Sequence, residues 1–531
     1  MVEKSTIPVR GSGRSSASAG DRLSVAGRWG HLRPLLLAPL CALLLAGCFG
    51  SERVERTPPL LPADQVPEEP VQLRPMAELN TSGDEFGATM PLDTTLLLYT
   101  TTGLSGDQEV VQSRWSGGVW GAAARIEAFG NGRSHGTPSI TPGGEMLYLA
   151  GDEYGFGDCD LYAAEVGPRG AVPAGQIPWN VPRNLGRLVN GRTWESTPAI
   201  TADGSTLYFS SDRPGGYGGR DIWLCHRRRD GSWDEPVNAG EAVNSKFDEI
   251  TPWLTPDGRV LLFASNGHPG LGGFDIFTVS IQGGRPTRDH YGAPINSRAD
   301  DIAMSTSSDG SHAFIASNRS GGEGGYDLYS ITPVPMEIAP VRVVTVPVRN
   351  SAGASIAAVL EVRDASSGGM VSRVRVSAEV GFARLVLPRA RNYFVTAVSP
   401  DSVFQSAILA VPRDLERTVR DTIAPLVLPA RGLPTRLMVT FEPGRAVLRR
   451  ESTVELDRLV ELLLLGKRWR AEITGHPDPG TGNAQAPQLA LERAHAIQGY
   501  LVGNNVPIDR VAIRADATDA DGQATLKILE R

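Results

Sequence analysis

The side chains best placed by type and spacing to do chemistry are four aspartates, Asp160, Asp221, Asp275 and Asp327. Each closes a glycine-rich stretch such as Ser210 to Trp223, SSDRPGGYGGRDIW. Glycines at that density could cradle a phosphate. A phosphate loop, however, lies between a strand and a helix, so that backbone N–H groups and the helix N-terminus face the anion. Here the continuation, DIWLCHR, reads as a strand. Calcium would want several closely spaced oxygen ligands, as in Asp-x-Asp-x-Asp-Gly, and each loop offers one or two. The reading left is architectural, with each aspartate capping backbone N–H groups of its own loop. No Gly-x-Ser-x-Gly elbow, His-Glu-x-x-His, Ser-x-x-Lys or Walker loop nominates a nucleophile, so no catalytic residue is expected. His476 has no second ligand at a metal spacing and reads as a packing or hydrogen-bonding residue, so no metal and no cofactor are expected.

The elements around those aspartates repeat. Asp160, Asp221, Asp275 and Asp327 are 61, 54 and 52 residues apart. A second block keeps step upstream: TPSITPGGEMLYLA, TPAITADGSTLYFS, TPWLTPDGRVLLFA and AMSTSSDGSHAFIA. Asn190, Asn244 and Asn296 introduce successive units, with Asn131 in that role for the first, and a weaker copy occupies residues 90–115. One unit reads as a strand, an Asp-Gly turn, a second strand, the glycine-rich loop, a third strand, and a fourth near SWDEPVN. A lone four-stranded antiparallel sheet cannot cover both of its faces, so such units stack around an axis as propeller blades. TPDGRVLLFASNGHPGLGGFDIF and its copies resemble the WD-like repeat of TolB-type periplasmic propellers. The resemblance implies a β-propeller over residues 79–335, of five or six blades, whose loop ends and channel bind a protein partner.

At 531 residues the chain is too long for a single core, and 60 glycines and 39 prolines favour a turn-rich, mainly β architecture. A net charge of −7 gives no reason to expect a nucleic-acid partner. Near the N-terminus, Arg28 and Arg33 precede LLLAPLCALLLAGC, the length of an export-signal core and short for a membrane span. Its end, Leu45-Ala46-Gly47-Cys48, resembles a bacterial lipobox. That implies a signal peptide over 1–47, lipid on Cys48, and, because Phe49 rather than Asp follows, anchorage in the outer membrane facing the periplasm. Residues 48–78, proline-rich and acidic, read as a tether. Of the 4 cysteines only Cys159 and Cys225 remain in the exported body; they give no metal spacing and could pair in an oxidising compartment.

Residues 340–428 carry alternating apolar stretches separated by Gly, Ser and Asn turns, the pattern of a small β-sandwich. Their order resembles the carboxypeptidase regulatory-like, prealbumin-type domain. From Leu433 the pattern becomes alternating β and α, with Leu456, Leu459, Val460 and Leu463 at helical spacing. The run EITGHPDPGTG…QLALERAHAIQGYLVGNNVPIDRV is similar to the OmpA-like peptidoglycan-associated domain, over residues 433–531. In that family an aspartate after the second strand and an arginine in the second helix hold the diaminopimelate of the wall peptide, and their counterparts are Asp478 and Arg493. A carboxylate accepts from the ligand ammonium, while a planar guanidinium grips its carboxylate through two parallel hydrogen bonds. The chain departs from the family at Pro477, Ala486 and Ala490 and in the short stretch DATDADGQ, so the pocket rim is expected to differ.

The fold expected is therefore multidomain and mainly β: a TolB-type propeller, a prealbumin-like sandwich, then an α/β OmpA-like domain. The function expected is that of a non-enzymatic outer-membrane lipoprotein binding peptidoglycan at Asp478 and Arg493 and presenting the propeller to an envelope protein. A periplasmic sensor or secretion-system scaffold, its last domain vestigial, is the alternative. A hydrolase hidden in the propeller channel is a third reading.

Overall fold

The computed structural model describes residues 71–530, apart from 104–105, 131–133, 153–154, 168–175, 229–230, 282–285, 337, 367, 369, 390, 400–403, 431, 467 and 483. Cys48, the signal, most of the tether and Asn131 lie outside the described residues.

Five antiparallel sheets make the propeller. The first holds Glu85–Thr89, Leu96–Thr101 and Glu109–Ser116, with two short outer pieces. The second holds His135–Ile140, Met146–Gly151, Asp160–Glu165 and Arg183–Asn184; the third, Glu195–Ile200, Thr206–Ser211, Asp221–His226 and Val237–Asn238. The fourth holds Glu249–Leu254, Val260–Ser265, Asp275–Ser280 and Arg288–His290. In the fifth, Asp301–Thr306, Ala313–Ser317 and Asp327–Thr332 are completed by Gln72–Pro75 from the N-terminal end. The innermost strands touch one another in turn, and the fifth touches the first, which closes the ring. The tether reading is corrected at this point: Gln72–Pro75 is a strand, and Met76 and Leu79 behind it are buried. After Thr332 the chain leaves for the sandwich, so the last sheet can satisfy its outer edge only with strand borrowed from the other end.

Every innermost strand carries the same bulge. Pairing slips once in each, and at the slip sit Gly87, Thr137, Thr197, Thr251 and Ala303 with φ between 50° and 65°. Threonine is costly in the left-handed region, so something must hold it there. The proline after each threonine has no N–H to lose, and hydroxyls of neighbouring strands accept the freed backbone N–H groups: Thr100 Oγ1 from Thr137 (2.7 Å) and Thr251 Oγ1 from Ala303 (3.0 Å). In the second, third and fourth blades the recurring Thr-Pro is thus the seat of the bulge.

The glycine-rich loops behave as expected. Asp221 accepts from Tyr217 N and Gly218 N, Asp160 from Phe156 N and Gly157 N, Asp275 from Leu271 N and Gly272 N, and Asp327 from Glu323 N and Gly324 N. Cys159 and Cys225 are buried and not joined by a disulfide, and burial pushes the Cys225 thiol up to about 12.

Two further sheets form the sandwich. One pairs Val341–Asn350 with Phe382–Pro388 and, in parallel, with Val419–Thr422 and Leu426–Leu428; the other orders Met370–Val376, Ala358–Asp364, Arg391–Val398 and Gln405–Val411. Their facing side chains, among them Val344, Val346, Leu360, Val362 and Val395, are fully buried. The sandwich meets the propeller through the Arg420–Asp309 and Arg375–Glu165 ion pairs.

The last domain is a four-stranded sheet ordered Pro434–Leu437, Ala524–Glu530, Trp469–Gly475 and Val511–Ala515, under helices α1 (Thr453–Leu465) and α2 (Ala486–Gly503). Leu456, Leu459, Val460 and Leu463 of α1 all face its core. No helix among the described residues is long and apolar enough to cross a membrane.

Candidate functional site

Strand Trp469–Gly475 runs into His476-Pro477-Asp478, and α2 passes directly over its end. The approach is set by Gly475: a Cβ there would stand 2.0 Å from Ala490 O and 2.9 Å from Ala494 N. Only a glycine under two alanines lets helix and strand come this close, so Ala490, one of the departures from the family, acts here as a packing residue. Pro487 in the first turn starts α2, and its inward stripe reads Leu489, Arg493, Ile497, Leu501 at intervals of four. Arg493 is therefore driven into the core side of the helix.

There its guanidinium is fully buried, and Nε and Nη1 make hydrogen bonds. Nη1 donates to His476 O (3.0 Å), Nε donates to Arg445 O (3.2 Å), and the group lies over the Phe441 ring at 4.8 Å. Nη2 forms an ion pair with Asp478 Oδ1 at 2.8 Å. The partner carboxylate is at the surface, 28% exposed, and its other oxygen accepts from Gly444 N at 2.7 Å. Partial burial works against the charge on Asp478, but the Gly444 N–H and Arg493 outweigh it and hold the carboxyl below its ordinary value. The structure thus brings the two expected residues together, yet turns the guanidinium inward. A buried charge with so few solvent contacts must be paired, and Asp478 is the charge that pairs it.

The short stretch between the last two strands completes the arrangement. Gly522 N donates to Pro477 O (2.8 Å), and a Cβ on Gly522 would lie 2.9 Å from Asp478 Oδ1 and 3.9 Å from Arg493 Nη1. His476 is buried and shares a hydrogen bond with Thr525 Oγ1 at 2.8 Å. Sequence reasoning missed Phe441, Gly444 and Arg445, which cradle the pair from a loop after the first strand. The Pro-Gly turn at 443–444, with Gly444 at φ 66°, is the signal that could have located that loop.

Gly87, Thr137, Thr197, Thr251 and Ala303, one from each innermost strand, line a shared cavity of about 30 Å³. Among the described residues no three His, Cys, Asp or Glu side chains gather as metal ligands do.

Residues 440–527 match the model of the OmpA family, and this segment is an OmpA domain. Among solved structures, TolB from Acinetobacter baumannii is 13% identical, with 48% of this chain and 56% of that one covered and a TM-score of 0.29. This chain therefore spans little more than half of that protein. A putative TolB from Agrobacterium tumefaciens is 14% identical, over 60% of this chain and 96% of that one, with a TM-score of 0.31. The periplasmic domain of MotB from Helicobacter pylori is 14% identical, over 18% of this chain and 81% of that one, with a TM-score of 0.16. A comparison with the curated proteins returns no match.

Proposed function

We propose that the protein is an outer-membrane lipoprotein, anchored through lipid on Cys48 and facing the periplasm, that binds peptidoglycan non-covalently through its C-terminal domain. Its propeller presents a surface to another envelope protein, and no reaction is required. The observation that carries the wall-binding half is the Asp478–Arg493 ion pair, set at the end of a strand within an OmpA domain. Asp478, the exposed member, receives the ammonium of a diaminopimelate-containing peptide. The peptide carboxylate reaches Arg493 at Nη2, which has the ion pair but no aligned hydrogen bond, once Gly522 and its loop move off Asp478.

The test is sedimentation of the full exported chain with purified peptidoglycan. Wild type pellets; Asp478→Asn, which keeps the shape and the Gly444 contact but loses the charge, stays in the supernatant. A folded wild type that fails to pellet, or an Asp478→Asn variant that pellets equally, defeats the wall-binding assignment. The full burial of Arg493 favours one second reading, a sensor or scaffold in which the propeller is the active part and this domain is vestigial. A folded wild type that fails to pellet is its expected result.

A further inference from the structure

Between the second and third blades lies a cavity of about 410 Å³ whose lining is unlike the rest of the ring. Arg183, Arg187, Arg227 and Arg228 line it against a single carboxylate, Glu165, which Arg375 of the sandwich already holds at 2.6 Å. Arg183, Arg187 and Arg228 make no ion pair with any described residue. Arg227 lies over Trp233 at 5.2 Å and reaches the buried Tyr148 hydroxyl at 3.4 Å, while its Nε is buried without a partner. An orphaned donor in a built pocket calls for an acceptor that comes from elsewhere. Beside these charges, Val181 is 66% and Leu188 45% exposed.

The repeat supplies an internal control. Asn184, Asn238 and His290 occupy one position in successive blades, since Asn184 and Asn238 donate to Asp160 and Asp221 and His290 faces Asp275. Counting from them, Arg183 stands where the next blades have Val237 and Asp289, and Arg187 where they have Glu241 and Ala293. Arg227 stands where the neighbours have Val166 and Ile281, all three donating backbone N–H to the preceding hairpin. The repeated blade thus does not call for arginine at these three positions, although Arg187 lies over Phe156 at 4.7 Å and Arg227 faces Glu145; together they give this junction a basic character that Val237, Glu241 and Ile281 do not give the next one.

We propose that this junction is the propeller's protein-binding site and that it takes an acidic peptide segment bearing an apolar side chain. Carboxylates meet the arginine fork geometry, and the apolar group lies on Val181, Leu188 and Trp233. The inference deepens the reading that the propeller binds a protein and does not depend on the wall-binding half.

The test is selection of phage-displayed random heptapeptides on the full chain, followed by fluorescence anisotropy with the enriched peptide. Peptides rich in Asp or Glu next to Leu, Ile or Phe are expected. Their affinity falls about tenfold or more in Arg183→Ala/Arg187→Ala, two exposed positions, with the melting midpoint checked against wild type, and also in Arg227→Gln. Asp478→Asn leaves it unchanged. Enrichment without acidic residues, unaltered binding by the double variant, or full displacement by millimolar inorganic phosphate overturns the proposal. A chain that binds the peptide but does not pellet with peptidoglycan refutes the wall assignment alone; one that pellets but selects no acidic peptide refutes this assignment alone.

Discussion

Asn80 and Leu328 are 248 positions apart and share two hydrogen bonds: Leu328 N donates to Asn80 Oδ1 at 2.8 Å, and Asn80 Nδ2 donates to Leu328 O at 3.1 Å. Asn190 makes the same clamp on Leu161, Asn244 on Ile222 and Asn296 on Ile276. Each asparagine belongs to the unit after the strand it holds, so the motif staples blade to blade. Only at Asn80 does it close the ring. Replacing Asn80 by Ala leaves a buried strand N–H and C=O unpaired at about 1–3 kcal/mol. The chain is also interrupted beside this clamp, inside the fifth sheet, between Asp327–Thr332 and Gln72–Pro75. We expect Asn80→Ala to expose the fifth blade to hydrogen exchange selectively, and Asn244→Ala, at an interior junction, to cost similar stability without that localised opening. Equal, ring-wide exchange in both variants would show that the seam is no weaker than the other junctions.

Asp221→Ala removes the acceptor for Tyr217 N, Gly218 N and Asn238 Nδ2 together. Because those donors already occupy the carboxylate, its role is to fix the loop. Thermal melts should show a loss equivalent to about 1–3 kcal/mol, and millimolar calcium should not shift the wild-type midpoint. A calcium-dependent midpoint that disappears in the variant would restore the cation reading.

Glu455, in the first turn of α1, is buried against the sandwich, accepting from Ser406 Oγ (2.6 Å) and Met438 N (3.2 Å). Burial pushes its carboxyl up to about 7, with Ser406, Met438 and Arg458 only partly opposing the rise. The folded state then binds the proton more tightly than the unfolded chain. Stability from this group is complete below the ordinary value of 4.5 and is lost as the pH climbs from there through about 7. The unfolding midpoint of the C-terminal region should fall between pH 4.5 and 7.5, and Glu455→Gln should flatten that fall. An unchanged slope in the variant would assign the dependence to other groups of that region.

How much of this was legible in the sequence depended on whether the cause was local. The blades were legible because each rebuilds itself from the same nearby residues, and Asn190, Asn244 and Asn296 stood out by keeping step. Asn80 did not, because its partner lies at the other end of the propeller, and Gln72–Pro75 pairs across the same gap with too few residues to show alternation. Thr-Pro read as plain strand since a left-handed threonine leaves no compositional trace. The pairing of Asp478 with Arg493 was legible only through the family pattern. The burial of Arg493, by contrast, was written in its place on the Leu489–Ile497–Leu501 stripe.

Gly475→Ala tests the packing that creates that burial. The new Cβ would meet α2 backbone, Ala490 O and Ala494 N, which cannot rotate away as a side chain could. The helix must lift, at about 1–3 kcal/mol. Arg493 would lift with it, loosening its bonds to His476 O and Asp478, so the variant should lose peptidoglycan pelleting while the propeller still melts as in wild type. Retained pelleting would mean that binding does not use the pair.

Arg493→Lys separates charge from geometry. Lysine keeps the positive charge beside Asp478 but cannot place donors on His476 O, Arg445 O and Asp478 Oδ1 in one plane, nor lie flat over Phe441. A compact ammonium is also costlier to bury than a guanidinium. If position and planarity matter, Arg493→Lys should approach the cost of breaking a buried ion pair, about 3–5 kcal/mol, and lose wall binding. Asp478→Asn should lose wall binding at a smaller cost, because its partner keeps two carbonyls and the asparagine oxygen. If the two variants instead bind and melt alike, the charge of the pair rather than its geometry is what the domain needs.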